Sequence, residues 1–141
     1  CYIEALDMFA VTSYSNGDDN SIVSLVDAES GERIKTVKLC YADSSACKAH
    51  VGGVADIGDS LLISSGKSAR RLKINDVLNA EDYGYVRFCG TLKTDMQASY
   101  IGSYENYLFV GQFYSFTLDG SYDTPEEQRL YAPGCKRNYA M

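Results

Sequence analysis

The sequence predicts an all-β fold made of repeated four-stranded antiparallel units. Composition is the first of three observations behind this. Twelve Tyr, five Phe, twelve Gly, only two Pro and no Trp suit strands that pack aromatic side chains on pleated surfaces and turns that need glycine. The second is the punctuation of the chain, in which short apolar runs are bounded by Gly, Asp, Asn and Ser. The third is an internal repeat, whose detection decides the architecture.

The segment His50 to Ser64, HVGGVADIGDSLLIS, lies on Gln97 to Gly111, QASYIGSYENYLFVG, without a gap at an offset of 47 residues. Val54 falls on Ile101, Asp59 on Asn106, Leu61 on Leu108, Leu62 on Phe109 and Ile63 on Val110. Each copy reads as strand, tight turn, strand. Asp59 and Asn106 are expected at the left-handed turn positions.

The strands follow in order. The opening of the chain supplies a second strand at Phe9–Thr12, a third at Ile22–Asp27 and a fourth at Arg33–Val37, the last two joined by the hairpin turn Asp27-Ala-Glu-Ser-Gly31. The middle of the chain adds a third strand at Arg71–Ile74, ending at Asn75, and a fourth at Tyr85–Phe88. The last part places a third strand at Ser115–Leu118 before Asp119-Gly120, and a fourth at Gln128–Tyr131. The loop from Cys40 to Cys47 reads as an insertion between the first two units.

Four strands in about 45 residues is the period of a β-propeller blade. Three blades are expected, at 1–46, 47–96 and 97–134, with 135–141 opening a further one. A blade cannot bury both faces alone, and closed rings have roughly four to eight blades. The expected whole is therefore a six- to seven-bladed ring, an association of chains, or an open stack of sheets. The first residue is Cys1 rather than Met, which reads as a processed or excerpted segment.

The stretch HVGGVADIGDSLLISSG with the following SARRLKI resembles the inner strands of secreted propellers of the broad NHL, YVTN and quinoprotein-like group, in which a copy of HxGGIAxxGDxLYVSD opens a blade. The resemblance covers most of the chain at blade level and implies a secreted, extracellular six- or seven-bladed propeller. It chooses no function, because such scaffolds bind proteins, sugars and cofactors or hydrolyse esters. The repeated Trp of quinoprotein blades and the Trp-Asp ending of WD40 blades are both missing.

A net charge of −6 argues against a phosphate-binding surface, so no nucleic-acid partner is expected. Lys67, Arg70 and Arg71 read as a solvated turn and strand edge. No apolar run approaches the roughly 18 residues of a membrane span. Asn20-Ser-Ile22 fails the N-glycosylation pattern, and no other sequon exists.

The five cysteines, Cys1, Cys40, Cys47, Cys89 and Cys135, show none of the CxxC spacing of thiolate metal sites. Cys40 and Cys47 bracket a small polar loop that a disulfide closes at low entropic cost, in keeping with an oxidising compartment. The alternative is two free thiols. An odd count leaves at least one cysteine unpaired within the chain or joined to something outside it.

His50 is the only histidine, so Ser-His-Asp or Cys-His chemistry within the chain has to use it as base. By analogy with propellers, its strand end faces the channel mouth, where ligands bind. Gln97 holds the equivalent place in the next unit, and Lys136 or Arg137 in the one after. These four form the expected ligand-binding ring, and the alternative for His50 is an ordinary loop contact. Asp18 and Asp19 supply oxygens of the kind calcium takes, but they lack EF-hand spacing and read first as a solvated hairpin loop. Tyr100, Tyr104, Tyr107 and Tyr114 read as interstrand packing or as a contact platform. No metal and no cofactor are expected.

The leading functional expectation is an extracellular scaffold without catalysis of its own, binding a protein or carbohydrate partner or further copies of itself. Two alternatives stand beside it. One is a propeller-type hydrolase or lyase with a channel-mouth site including His50, and the other is a repeat unit of an extracellular filament or surface coat.

Overall fold

A computed structural model describes residues 1–15, 17, 19–105 and 107–112, together with the backbone of Arg129–Tyr131 and Asn138–Ala140. Its regular structure is mostly antiparallel β. The first sheet opens with β1 (Tyr2–Ile3), a 3₁₀ turn at Glu4–Leu6, β2 (Met8–Ser13), β3 (Ile22–Asp27) and β4 (Arg33–Cys40). Its hairpin turn forms where Asp27-Ala-Glu-Ser-Gly31 predicts one. The Asp27 carboxylate accepts from the Ser30 N–H at 2.7 Å and hydroxyl at 2.6 Å, and Gly31 takes the left-handed φ of 72°.

The second sheet is a four-stranded meander of β5 (Val54–Asp56), β6 (Ser60–Ser64), β7 (Ser68–Lys73) and β9 (Gly90–Lys93). After β7 the chain makes a short helix, α1 (Ile74–Asn79), which buries Ile74 and Val77 where the sequence suggested the end of a strand. The expected fourth strand of this unit is also corrected. Tyr85–Arg87 forms β8, which pairs in parallel with β4 and so extends the first sheet, while Gly90–Lys93 takes the outer place beside β7. The reason is burial. Val86 and Phe88 enter the core between the two sheets, whereas β9 is an exposed edge strand with almost no apolar pattern to announce it.

Asp82 fastens β8 to the first sheet. Its carboxylate accepts two hydrogen bonds from the Arg33 guanidinium, at 2.7 and 3.0 Å, and one from the Thr36 N–H at 2.8 Å. The Arg33 hydrogen bond first, and the Thr36 N–H second, hold the Asp82 carboxyl down from 3.8 to about 2. A carboxylate depressed in the folded state contributes stability that is fully present above the unfolded value and is lost as pH falls through the folded one. Acid titration followed by circular dichroism is therefore expected to show stability falling between about pH 4 and pH 2. That component is expected to be missing in Asp82→Asn, which starts from a lower stability at neutral pH.

The third layer is the hairpin β10 (Tyr100–Tyr104) and β11 (Tyr107–Gly111). Its register pairs Ile101 with Val110, Gly102 with Phe109 and Ser103 with Leu108, and the β5/β6 register pairs Val54 with Ile63, Ala55 with Leu62 and Asp56 with Leu61. The two hairpins thus carry one register, shifted by the sequence offset. Gly58 (φ 91°) and Glu105 (φ 51°) take left-handed turn conformations. Asn106 lies outside the described residues, and Gly58 holds the position expected for Asp59. Asp59 instead accepts a two-pronged hydrogen bond from Arg71 at 2.8 and 2.9 Å. A non-glycine residue in this region costs roughly 1–2 kcal/mol. Glu105→Gly is expected to raise stability by about 1 kcal/mol in urea denaturation.

Two cores hold the three layers together. Ile3, Ala10, Val23, Leu25, Val37 and Leu39 of the first sheet meet Val54, Leu61, Ile63 and Leu72 of the second. On the other face of the second sheet, Ala55, Leu62 and Ala69 meet Ile101, Leu108 and Val110. Side chains alternate between the faces of a strand, so β6, all five residues of which are buried, serves both cores.

Near the end of the chain, β12 (Arg129–Tyr131) and β13 (Asn138–Ala140) pair in antiparallel fashion. Arg129–Tyr131 falls within the expected fourth strand of the third unit. The expected third strand at 115–118 lies outside the described residues.

Candidate functional site at the His50–Gln97 rim

The chain approaches β5 through His50-Val-Gly-Gly53, and backbone hydrogen bonds hold this approach against the end of β6. Gly52 N–H donates to Ser64 O at 3.0 Å, Ser64 N–H donates to Gly53 O at 2.9 Å, and Gly53 N–H donates to the Ser64 hydroxyl at 2.8 Å. The approach to β10 is held in turn. Ala98 N–H donates to Gly66 O at 2.7 Å and Ser99 N–H to Gly111 O at 2.9 Å. The two approaches end at a common rim, and His50 and Gln97 line one cleft of about 360 Å³ with Tyr14, Gly66 and Ser99.

Tyr14 is the residue that sequence reasoning missed. Its ring stacks on His50 with centroids 4.0 Å apart and planes 23° from parallel. It follows β2 directly, so the signal was an aromatic at the end of a predicted strand, on the rim that His50 was expected to occupy. Lys136 and Arg137, the other two expected ring members, lie outside the described residues, as does Asp18. Asp19 lines a second cleft of about 360 Å³ with Tyr14, Asn20, Lys38, Tyr83 and Tyr85. Among the described residues, no group of three or more His, Cys, Asp or Glu is placed to hold a metal ion.

The expected bond between Cys40 and Cys47 is not present, and both are buried free thiols. Cys40 pairs with Ala46 in an antiparallel bridge, flanked by the Cys47 N–H to Leu39 O and Tyr41 N–H to Ser45 O hydrogen bonds. Alternation then sends the two sulfurs to opposite sides. Cys47 stands with Leu39 in the first core. Cys40 faces Asn20, whose Nδ2 is 3.7 Å from its sulfur, and burial pushes the Cys40 thiol above its ordinary pKa. Cys1 and Cys89 are exposed free thiols, and Cys135 lies outside the described residues.

The basic cluster divides: Lys67 stays exposed in the turn before β7 and Arg71 is half-exposed, as a solvated edge requires, while Arg70 departs from that expectation. The Arg70 guanidinium lies 4.7 Å from the Tyr41 ring centroid and 5.9 Å from that of Phe88, a cation held over aromatic faces, and Arg71 is committed to Asp59. Tyr100, Tyr104 and Tyr107 are exposed together with Phe109. Their register places all four on the face of the third layer turned away from the second sheet. Tyr114 lies outside the described residues.

No family model, curated protein or solved structure matches this chain. The class that fold and site define is a layered, mainly antiparallel β protein with a polar, aromatic cleft where successive layers meet. No helix among the described residues is long and apolar enough to cross a membrane.

Proposed function

We propose that the chain is a run of β-propeller blades in an extracellular binding scaffold, with its ligand surface at the rim where His50 and Gln97 meet. One observation carries this reading: equivalent positions of neighbouring units lie side by side. Gly52 abuts Ser99, Gly53 abuts Tyr100 and Ile101, and the Ser103 hydroxyl donates to Asp56 O at 2.6 Å. Gly52 with Ser99, Gly53 with Tyr100 and Asp56 with Ser103 each keep the sequence offset of 47 residues, so the first strands of the two units run in the same direction, as inner strands do around a propeller axis.

Burial of the second sheet on both faces fits a blade between two neighbours. The extracellular placement is argued from the blade-level resemblance, since Cys40 and Cys47 do not support it as a disulfide.

A ring of six or seven blades is completed either by more of the same polypeptide or by association of chains. The test is the intact mass of the native source protein under non-reducing conditions, paired with its native assembly mass. A polypeptide well above the mass of this chain, or a multimer of it, supports the ring. A monomer of this chain's mass in both measurements overturns it.

The scaffold reading also predicts that His50→Ala shifts folding stability by no more than about 0.5 kcal/mol, as surface substitutions do. A larger loss in urea denaturation makes the Tyr14–His50 stack a structural element rather than part of a binding surface.

A further inference from the structure

We infer that Tyr14, Tyr85 and Tyr83, with the polar groups between them, form an extended groove for a neutral oligosaccharide. The inference rests on the binding-module reading above and gives that module a ligand class. The two clefts of about 360 Å³ share Tyr14 as a common wall, and each lies at the small end of the roughly 300–1,000 Å³ range of small-ligand sites. A ligand of several linked rings spans both, whereas a single small molecule fills one.

The lining fits a sugar. Tyr14 is 45% exposed, Tyr83 54% and Tyr85 66%, so each phenol ring offers accessible π-surface to the apolar CH face of a pyranose. Basic groups steady two of these rings from one side. Lys38 Nζ stands 5.4 Å from the Tyr85 centroid and Arg33 Cζ stands 5.2 Å from that of Tyr83. His50 backs Tyr14 in the same way by stacking. Rings braced like this lose little side-chain freedom when a ligand arrives.

Hydroxyl partners surround the platforms. Ser13, Ser15 and Asp19 line one cleft, and Gln97 and Ser99 line the other, together offering the donors and acceptors that sugar hydroxyls use. Among the described residues lining the first cleft, one cation, Lys38, stands with one carboxylate, Asp19, a balance that favours an uncharged ligand. Among the described lining residues, Ile22 is the one large aliphatic side chain of the kind a protein partner's apolar anchor seeks.

The experiment is saturation-transfer NMR of the full chain with four neutral probes: cellohexaose, maltohexaose, mannohexaose and chitohexaose. At least one is expected to bind with a Kd of about 1 mM or tighter. Tyr14→Ala and Tyr85→Ala are each expected to weaken it roughly tenfold. Tyr104→Ala, on the far face of the third layer, is expected to leave it unchanged, with circular dichroism confirming the fold of all three variants.

No saturation from any probe at about 10 mM overturns the inference. So does binding that Tyr14→Ala and Tyr85→Ala both leave intact, or binding restricted to sulfated sugars and abolished by salt, the mark of a charged ligand. Each of these results leaves the scaffold reading standing, because that reading falls only on its own mass measurements.

Discussion

Gly52→Ala is expected to lose about 3 kcal/mol of folding stability, at the upper end of the usual cost of overpacking a well-filled interior. A Cβ on Gly52 meets the Ser99 carbonyl oxygen at 2.0 Å and its carbonyl carbon at 2.9 Å. Both are backbone atoms, so no side chain can rotate aside, and relief requires the second and third layers to part. Parting them opens the core of Ala55, Leu62, Ala69 and Ile101.

The measurement is a urea titration, in which the midpoint falls while the slope is kept. Gly102→Ala is the matched control, since a Cβ there meets nothing within 4 Å, and it is expected to cost less than about 1 kcal/mol. Equal losses in the two variants would show that the close approach of Gly52 to Ser99 does not join the layers.

Ile63→Ala is the second large effect, with an expected loss of about 3–4 kcal/mol. Ile63 is fully buried, pairs with Val54 across the hairpin, and lies in the core between the first and second sheets. Truncation removes three carbons from a site whose neighbours, Leu61 and Leu72 among them, are themselves fully buried in strands and have little freedom to fill the cavity. Against a typical domain stability of 5–15 kcal/mol, such a loss brings visible unfolding within a few molar urea.

Phe109→Ala, on the exposed outer face of the third layer, is expected to cost no more than about 1 kcal/mol. A cost for Ile63→Ala as small as that for Phe109→Ala would contradict the stacking of the layers. The contrast depends on which face of its hairpin each residue occupies, and therefore on the alternation that register imposes.

What the residues by themselves determined is local. Short apolar runs between Gly, Asp and Ser turns placed β2, β3, β4, β6 and the turn at Gly31 close to where they form, because strand period and turn stereochemistry act over a few residues. The alignment of His50–Ser64 with Gln97–Gly111 also anticipated a common register for the two hairpins. His50 and Gln97, equivalent positions of the two aligned segments, line one cleft, while the other two residues expected beside them, Lys136 and Arg137, lie outside the described residues.

The tertiary structure decided everything that depended on partners distant in sequence. Tyr85–Arg87 pairs with β4 rather than β7 because Val86 and Phe88 gain a core there and Asp82 finds Arg33 and Thr36 across the turn. Cys40 and Cys47 are seven residues apart along the chain, yet the bridge at Ala46 turns their sulfurs to opposite faces, a matter of parity that spacing does not reveal. Arg70 reads as a surface charge until Tyr41 and Phe88 close over it. Tyr14 joined the site for the same reason: the strand end that carries it acquires meaning only when packing of the layers brings it against His50.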